Sequence, residues 1–95
     1  MRWDNCQIVT YYETADGIYE TKGSVLIDGD RIVVDYVSGE TVVYKGEDLG
    51  HGHFELKGDG FDGRATLHQA PGTLILEGYW SEEGARGMWR IHLQE

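Results

Sequence analysis

Residues 73–93 read TLILEGYWSEEGARGMWRIHL, in which apolar and polar residues alternate on both sides of a turn-forming segment at 81–84. Alternation with a period of two is typical of strands that bury one face of a sheet. We therefore predict an antiparallel hairpin. A four-residue loop at 81–84 would set Leu76 opposite Trp89 and turn Leu74 to the same inner face.

A second hairpin across Pro71-Gly72 leads to the same inner face for the strand at 73–80. Its pairing sets Leu67 opposite Leu76, and both side chains point inward. Two neighbouring hairpins therefore agree on which residues of this strand are buried.

Turn-forming residues recur along the rest of the chain about every 8 to 12 residues, which is typical of an all-β domain. One of these turns, Asp28-Gly29, suits a two-residue type I′ turn that sets Val25 opposite Ile32. Gly or Pro interrupts most of the longer stretches, so a long helix is excluded. The turns predict strands at about 5–14, 18–27, 31–37, 41–45, 51–57, 63–69, 73–80 and 85–93.

The short connections favour pairing of each strand with the next, and closing the first strand onto the last removes both sheet edges. We therefore predict that residues 1–95 form a single all-β domain, an eight-stranded antiparallel up-and-down (meander) β-barrel. A two-sheet sandwich is the alternative.

The composition excludes several classes of partner. Asp and Glu total 17 against 8 Lys and Arg, giving a formal net charge of -9, so we expect no binding to nucleic acid. We also expect no membrane insertion, because no apolar run is long enough to span a bilayer. The single cysteine cannot form an internal disulfide, which suits a reducing compartment such as the cytoplasm.

The triplet Gly78-Tyr79-Trp80, with Arg90 on the following strand, resembles the Gly-x-Trp element of the calycin superfamily. That superfamily includes lipocalins, fatty-acid-binding proteins and avidins. In lipocalins the triplet lies on the first strand and its indole packs near an arginine of the last strand; here it lies on the predicted seventh strand. In length the chain is nearest to the smallest bacterial barrels. The resemblance implies a calycin-like (lipocalin-like) barrel that binds a small, largely apolar ligand.

The predicted interior combines large aromatic residues with small ones. The small residues would either let the indoles lie flat in a packed core or leave a cavity walled by aromatic rings. In a cavity the indoles would supply contact area and the tyrosine hydroxyls would orient the ligand. The candidate ligand-binding residues are Tyr36, Tyr44, Phe54, Gly78, Trp80, Gly87 and Trp89.

Three histidines are the candidate metal ligands. His51 and His53 are two residues apart, so on a strand both would project from the same face. Phe54 and Leu56 take the inner face of that strand, which turns both histidines outward. His68 lies on the outer face of the adjacent predicted strand. Most pairs of surface histidines do not bind a metal ion. We therefore assign no metal and no cofactor.

Apolar residues on the outside of the last three strands suggest a self-association face. Aromatic residues, Met and Arg are enriched in the centres of interfaces. The predicted homodimer face consists of Arg64, Ile75, Tyr79, Met88 and Arg90. The alternative is an ordinary scatter of surface apolar residues.

The sequence favours a non-enzymatic protein. The serines lie near turns or on an outer face without a nucleophile elbow, and no catalytic residue is assigned. We therefore predict a β-barrel that binds a small apolar or aromatic ligand in its interior. The alternative is a barrel with a solid core that acts as a protein-protein interaction or oligomerisation module.

Overall fold

The computed structural model describes residues 1–13 and 17–95, which form an all-β closed barrel. Its strands are β1 (Arg2–Tyr12), β2 (Ile18–Asp28), β3 (Arg31–Ser38), β4 (Glu40–Asp48), β5 (His53–Gly58), β6 (Gly63–Gln69), β7 (Ile75–Glu82) and β8 (Ala85–His92). Each strand pairs antiparallel with the next and β1 closes onto β8, so the predicted eight-stranded meander barrel is confirmed. Within the described ranges, no helix has the length and apolar character needed to cross a membrane.

The β7–β8 hairpin turns on two residues, Glu83 and Gly84, whose φ values of 37° and 88° suit a type I′ turn. The predicted four-residue loop is wrong, because β7 continues through Ser81 and Glu82, which were assigned to it. The pairing shifts by two positions, and Leu76 faces Ile91 rather than Trp89. A shift of two leaves each side chain on its predicted face.

The β2–β3 hairpin shows the same kind of shift. Its turn consists of Gly29 and Asp30 rather than Asp28-Gly29. Gly29 has a φ of 62° and takes the first central position, where a type II′ turn requires glycine. Val25 therefore faces Val34 instead of the predicted Ile32.

The β6–β7 connection is longer than the two-residue turn predicted from Pro71-Gly72. Thr73 closes it, donating from its backbone N–H and its hydroxyl to the carbonyl of Ala70 at 3.2 and 2.9 Å. As a result β7 begins only at residue 75, and Gln69 rather than Leu67 faces Leu76. The predicted inward position of Leu74 is wrong, because this side chain precedes β7 and is 59% exposed.

Two strands are longer than predicted at the same end of the barrel. β4 continues through a predicted turn because Gly46 has no side chain; a Cβ there would lie 2.0 Å from the carbonyl oxygen of Glu55 on β5. β1 begins before residue 5 and accommodates a register shift between Trp3 and Cys6. This extension buries Trp3, a core residue that the predicted strand bounds left out.

Apolar side chains fill one end of the barrel, which we call the closed end. It carries the β2–β3, β4–β5 and β6–β7 connections; the other end, the open end, carries the β1–β2, β3–β4, β5–β6 and β7–β8 connections. The closed-end core contains Trp3, Cys6, Ile8, Val25, Ile32, Val34, Phe54, Leu56, Leu67, Leu76, Ile91 and Leu93, and the same buried cluster continues towards the open end with Tyr44, Ala65, Trp80 and Trp89. The interior thus combines a packed half with an open half.

Candidate functional site

A cavity of about 670 Å³ occupies the open end of the barrel. Its volume falls within the range of roughly 300–1,000 Å³ that is typical of small-molecule sites. Six aromatic side chains line it: Tyr12, Tyr19, Tyr36, Tyr44, Trp80 and Trp89. Three carboxylates also line it: Glu20, Glu40 and Glu82. Among the residues that the structure describes, no Lys, Arg or His belongs to the lining.

The structure separates the seven predicted ligand-binding residues into two groups. Four of them line the cavity, namely Tyr36, Tyr44, Trp80 and Trp89. Phe54 is 2% exposed and lies in the closed-end core, away from the lining. The two glycines of the set also lie outside the lining and have a different role.

Each of these glycines faces a tryptophan on the neighbouring strand. Gly78 pairs with Trp89, and Gly87 pairs with Trp80. A Cβ at Gly78 would lie 1.8 Å from the carbonyl oxygen of Thr66 on β6, and a Cβ at Gly87 would lie 1.8 Å from a carbonyl oxygen of β1. The absence of side chains therefore permits close backbone approach beside the indoles.

The indole of Trp89 also forms a hydrogen bond where the pairing of β6 with β7 is interrupted. The β6–β7 pairing skips Thr66 and Leu67. The hydroxyl oxygen of Thr66 accepts a hydrogen bond from the backbone N–H of Tyr79 at 3.1 Å. Its carbonyl oxygen accepts one from Nε1 of Trp89 at 3.0 Å. These two bonds satisfy polar groups that the regular ladder would otherwise pair, and they hold the indole in place against the cavity.

Tyr44 is the least exposed of the aromatic residues that line the cavity. The residue is fully buried, and its ring packs against Phe61 and Trp89 at centroid distances of 5.2 and 5.4 Å. Its hydroxyl donates a hydrogen bond to Oε2 of Glu82. Burial, followed by this hydrogen bond, raises the pKa of Tyr44 well above its ordinary value. The phenol therefore stays neutral and remains a donor at physiological pH.

Tyr36 is a second neutral hydroxyl in the same wall. Burial, with a smaller effect from the negative charge of Glu82, raises the pKa of Tyr36 to about 12. A neutral phenol can both donate and accept a hydrogen bond. The cavity therefore offers polar groups that would orient a ligand at its aromatic wall.

The aromatic wall continues to the rim of the barrel. Tyr12 packs edge-on against Trp80 at 4.9 Å and against Tyr19 at 5.2 Å between ring centroids. Tyr19 is 59% exposed, so this row leads from the interior to solvent. Such a wall suits a flat or apolar group, and the ring faces also attract cations.

Sequence reasoning missed the acidic part of this lining. Glu82 is two residues after Trp80 and would share its face on a continuous strand, but the predicted loop at 81–84 ended the strand too early. Tyr12 has the same parity as Ile8 on β1, a signal that would have placed it in the interior.

The described residues show no catalytic constellation around the cavity. Cys6 is fully buried in the closed-end core, and its thiol donates to the carbonyl of Trp3 at 3.4 Å. A thiol in that position is inaccessible to a substrate. The open end presents hydroxyls, indoles and carboxylates, which are chemical groups capable of hydrogen bonding and aromatic contact.

The three candidate metal ligands do not form one group. His51 lies in the β4–β5 turn with a φ of 57°, so the prediction that it shares a strand face with His53 is wrong. His53 and His68 face each other across β5 and β6. Nδ1 of His53 lies 2.9 Å from Nε2 and 3.2 Å from Nδ1 of His68. In the described part of the chain, no three His, Cys, Asp or Glu side chains are grouped closely enough to hold a metal ion.

The five residues of the predicted homodimer face lie in different local environments. Tyr79 and Met88 face each other on the outside of β7 and β8, and Tyr11 of β1 extends this row because it also pairs with Met88. We call these three residues the outer apolar row. Tyr79 is 40% exposed, Met88 51% and Tyr11 36%. Of the other predicted members, Arg90 forms an ion pair with Glu77 at 3.0 Å. Ile75 faces His92 on β8, and Arg64 faces Ser81 on β7.

Comparison with models of protein families, with curated proteins and with solved structures finds no match to this chain.

Proposed function

We propose that this protein is a non-enzymatic binding barrel that holds a small molecule at its open end. The observation that carries the proposal is the cavity of about 670 Å³ lined by six aromatic side chains. Trp80 and Trp89 supply rigid contact area, because each indole Nε1 is already hydrogen-bonded to a backbone carbonyl, at 3.2 and 3.0 Å. Side chains that are ordered before binding lose little conformational entropy when a ligand arrives.

The charges of the lining favour a ligand with an apolar or aromatic body and a positively charged amino group. Glu20, Glu40 and Glu82 supply carboxylates, and the aromatic rings around them attract cations at their faces. The net charge of -9 raises the local concentration of cations further. An anionic ligand would meet three carboxylates without a basic side chain of the described lining to pair with.

A matched series of small aromatic compounds tests this proposal. Tryptophan fluorescence and calorimetry would follow the binding of 2-phenylethylamine, 2-phenylethanol and phenylacetate, which carry positive, neutral and negative charge. We expect affinity to fall in that order, with a loss of the amine preference in Glu82→Gln. Arg64→Gln, on the outer wall, is the control and should leave the order unchanged. Failure of all three compounds to bind would contradict the proposal.

The alternative function is an interaction module that uses the outer apolar row. Tyr11, Met88 and Tyr79 border a surface hollow of about 270 Å³, and contiguous apolar surface of this kind favours protein contact. Light scattering at micromolar concentration would give a dimer mass for the natural protein and a monomer mass for Met88→Glu. A monomer mass for the natural protein would contradict self-association.

A calycin-like relationship and a cytoplasmic location belong to the same proposal. The closed meander barrel and the ligand-sized cavity support the first. The single cysteine, buried at Cys6, supports a compartment in which disulfides are not needed.

A further inference from the structure

We infer that His53 and His68 form a binding site for a divalent transition-metal ion on the outer wall of the barrel. The two residues are directly paired on adjacent strands, with ring centroids 4.2 Å apart. Nδ1 of His53 lies 2.9 Å from Nε2 and 3.2 Å from Nδ1 of His68. The contact is a hydrogen bond between the two imidazoles, and an ion that replaced its proton would meet one nitrogen lone pair from each ring.

These distances match the spacing of two imidazole ligands on one ion. With metal–nitrogen bonds of about 2.0–2.1 Å, neighbouring ligands stand roughly 3.3–3.4 Å apart on a tetrahedral ion. In a square-planar arrangement with similar bonds, the spacing is roughly 2.8–3.0 Å. The observed separation of 2.9 Å falls within the square-planar range, and the separation of 3.2 Å lies between the two ranges.

The barrel holds the two histidines in position before an ion arrives. Both lie on strands that are hydrogen-bonded on each side in a closed sheet. His53 is half-buried and His68 is exposed, so the pair is restrained but open to solvent. Ligands on rigid elements lose little entropy on binding, which is the advantage of a preorganised site.

The protein supplies two ligands, His53 and His68, and water would fill the remaining coordination positions. Glu77 faces His68 from β7 but forms an ion pair with Arg90 at 3.0 Å. His51 borders the same surface hollow as His68 and Glu77, yet no third ligand joins the pair in the described residues. The proposed site is therefore a two-histidine clamp that is completed by solvent.

The ligand type determines which metals the clamp would take. Two neutral imidazoles suit Cu²⁺, Ni²⁺ and Zn²⁺, and the Irving–Williams order places Cu²⁺ first. Mg²⁺ and Ca²⁺ prefer oxygen ligands and would be excluded. The site does not depend on the proposed ligand cavity, because His53 begins β5 at the closed end of the barrel.

Titration of the tag-free protein with Cu²⁺ tests the inference. Calorimetry should detect one tight equivalent, and electron paramagnetic resonance should show nitrogen coupling from two imidazoles. His53→Gln and His68→Gln should each weaken binding at least about ten-fold. His92→Gln, on β8, is the matched control and should bind as the natural protein does. Binding that survives the His53→Gln/His68→Gln double change, or a spectrum without coupling from two imidazoles, would overturn the inference.

Discussion

Trp89 lies directly opposite Gly78 in the β7–β8 ladder, and its indole reaches across that glycine to a carbonyl of β6. The accepting oxygen belongs to Thr66, where the β6–β7 ladder is interrupted. A Cβ at Gly78 would collide with the same oxygen at 1.8 Å. The glycine, the indole and the interruption therefore act as one unit, which fixes a tryptophan in the wall of the cavity.

Trp89→Phe should destabilise the barrel by about 1–3 kcal/mol, beyond any loss of apolar contact. The change keeps an aromatic ring but leaves the carbonyl of Thr66 without its donor. Denaturant unfolding measures the effect. Tyr79→Phe, at an exposed position on the next strand, is the control and should change the free energy of unfolding by less than about 0.5 kcal/mol. Equal effects of the two changes would argue against the hydrogen bond.

Leu76→Ala and Leu74→Ala should have very different effects, although both leucines lie within three residues of each other. Leu76 is fully buried, so its truncation should cost about 2–5 kcal/mol. Leu74 is 59% exposed, so its truncation should lower the free energy of unfolding by less than about 0.5 kcal/mol. Unfolding curves for both variants check the β6–β7 connection, because a strand that began at residue 73 would make the two costs similar.

The free energy of unfolding should decrease as the pH rises above about 10. Tyr36 has a pKa of about 12 in the folded protein against an ordinary value of 10.0. Below pH 10 its hydroxyl is protonated in both states; between 10 and 12 the unfolded chain loses the proton while the folded chain retains it. The raised pKa of Tyr44 acts in the same direction.

Tyr36→Phe provides the control for this alkaline dependence. Denaturant unfolding of both proteins at a series of pH values should show a shallower decline in the variant, since it lacks one phenol that the fold keeps neutral. Parallel curves for the natural protein and the variant would show that Tyr36 does not contribute.

Tyr44→Phe should destabilise the protein by about 1–3 kcal/mol, because it removes the donor to Glu82 and leaves a carboxylate without that bond. Glu82→Gln retains an acceptor and should cost less. A double-mutant cycle of the two changes measures their coupling, which should exceed about 0.5 kcal/mol. Additive effects would indicate that the two side chains do not interact in solution.

The sequence by itself determined the strand number, the meander order and the face of most side chains. Alternation has a period of two, so Leu67, Leu76 and Trp89 were assigned to the interior correctly although the predicted registers were wrong. A shift of two positions changes every partner but not a single face. Alternation and the spacing of turn residues were therefore enough to predict the barrel, and the local turn conformation decided its registers.

Only the tertiary structure decided which side chains meet. The positive φ values at Glu83 and Gly84 extend β7, and this extension brings Glu82 onto the same face as Trp80. Closure of β1 onto β8 sets Tyr11 beside Met88. These neighbours are distant in sequence or depend on a turn, and alternation along a single strand carries no information about either.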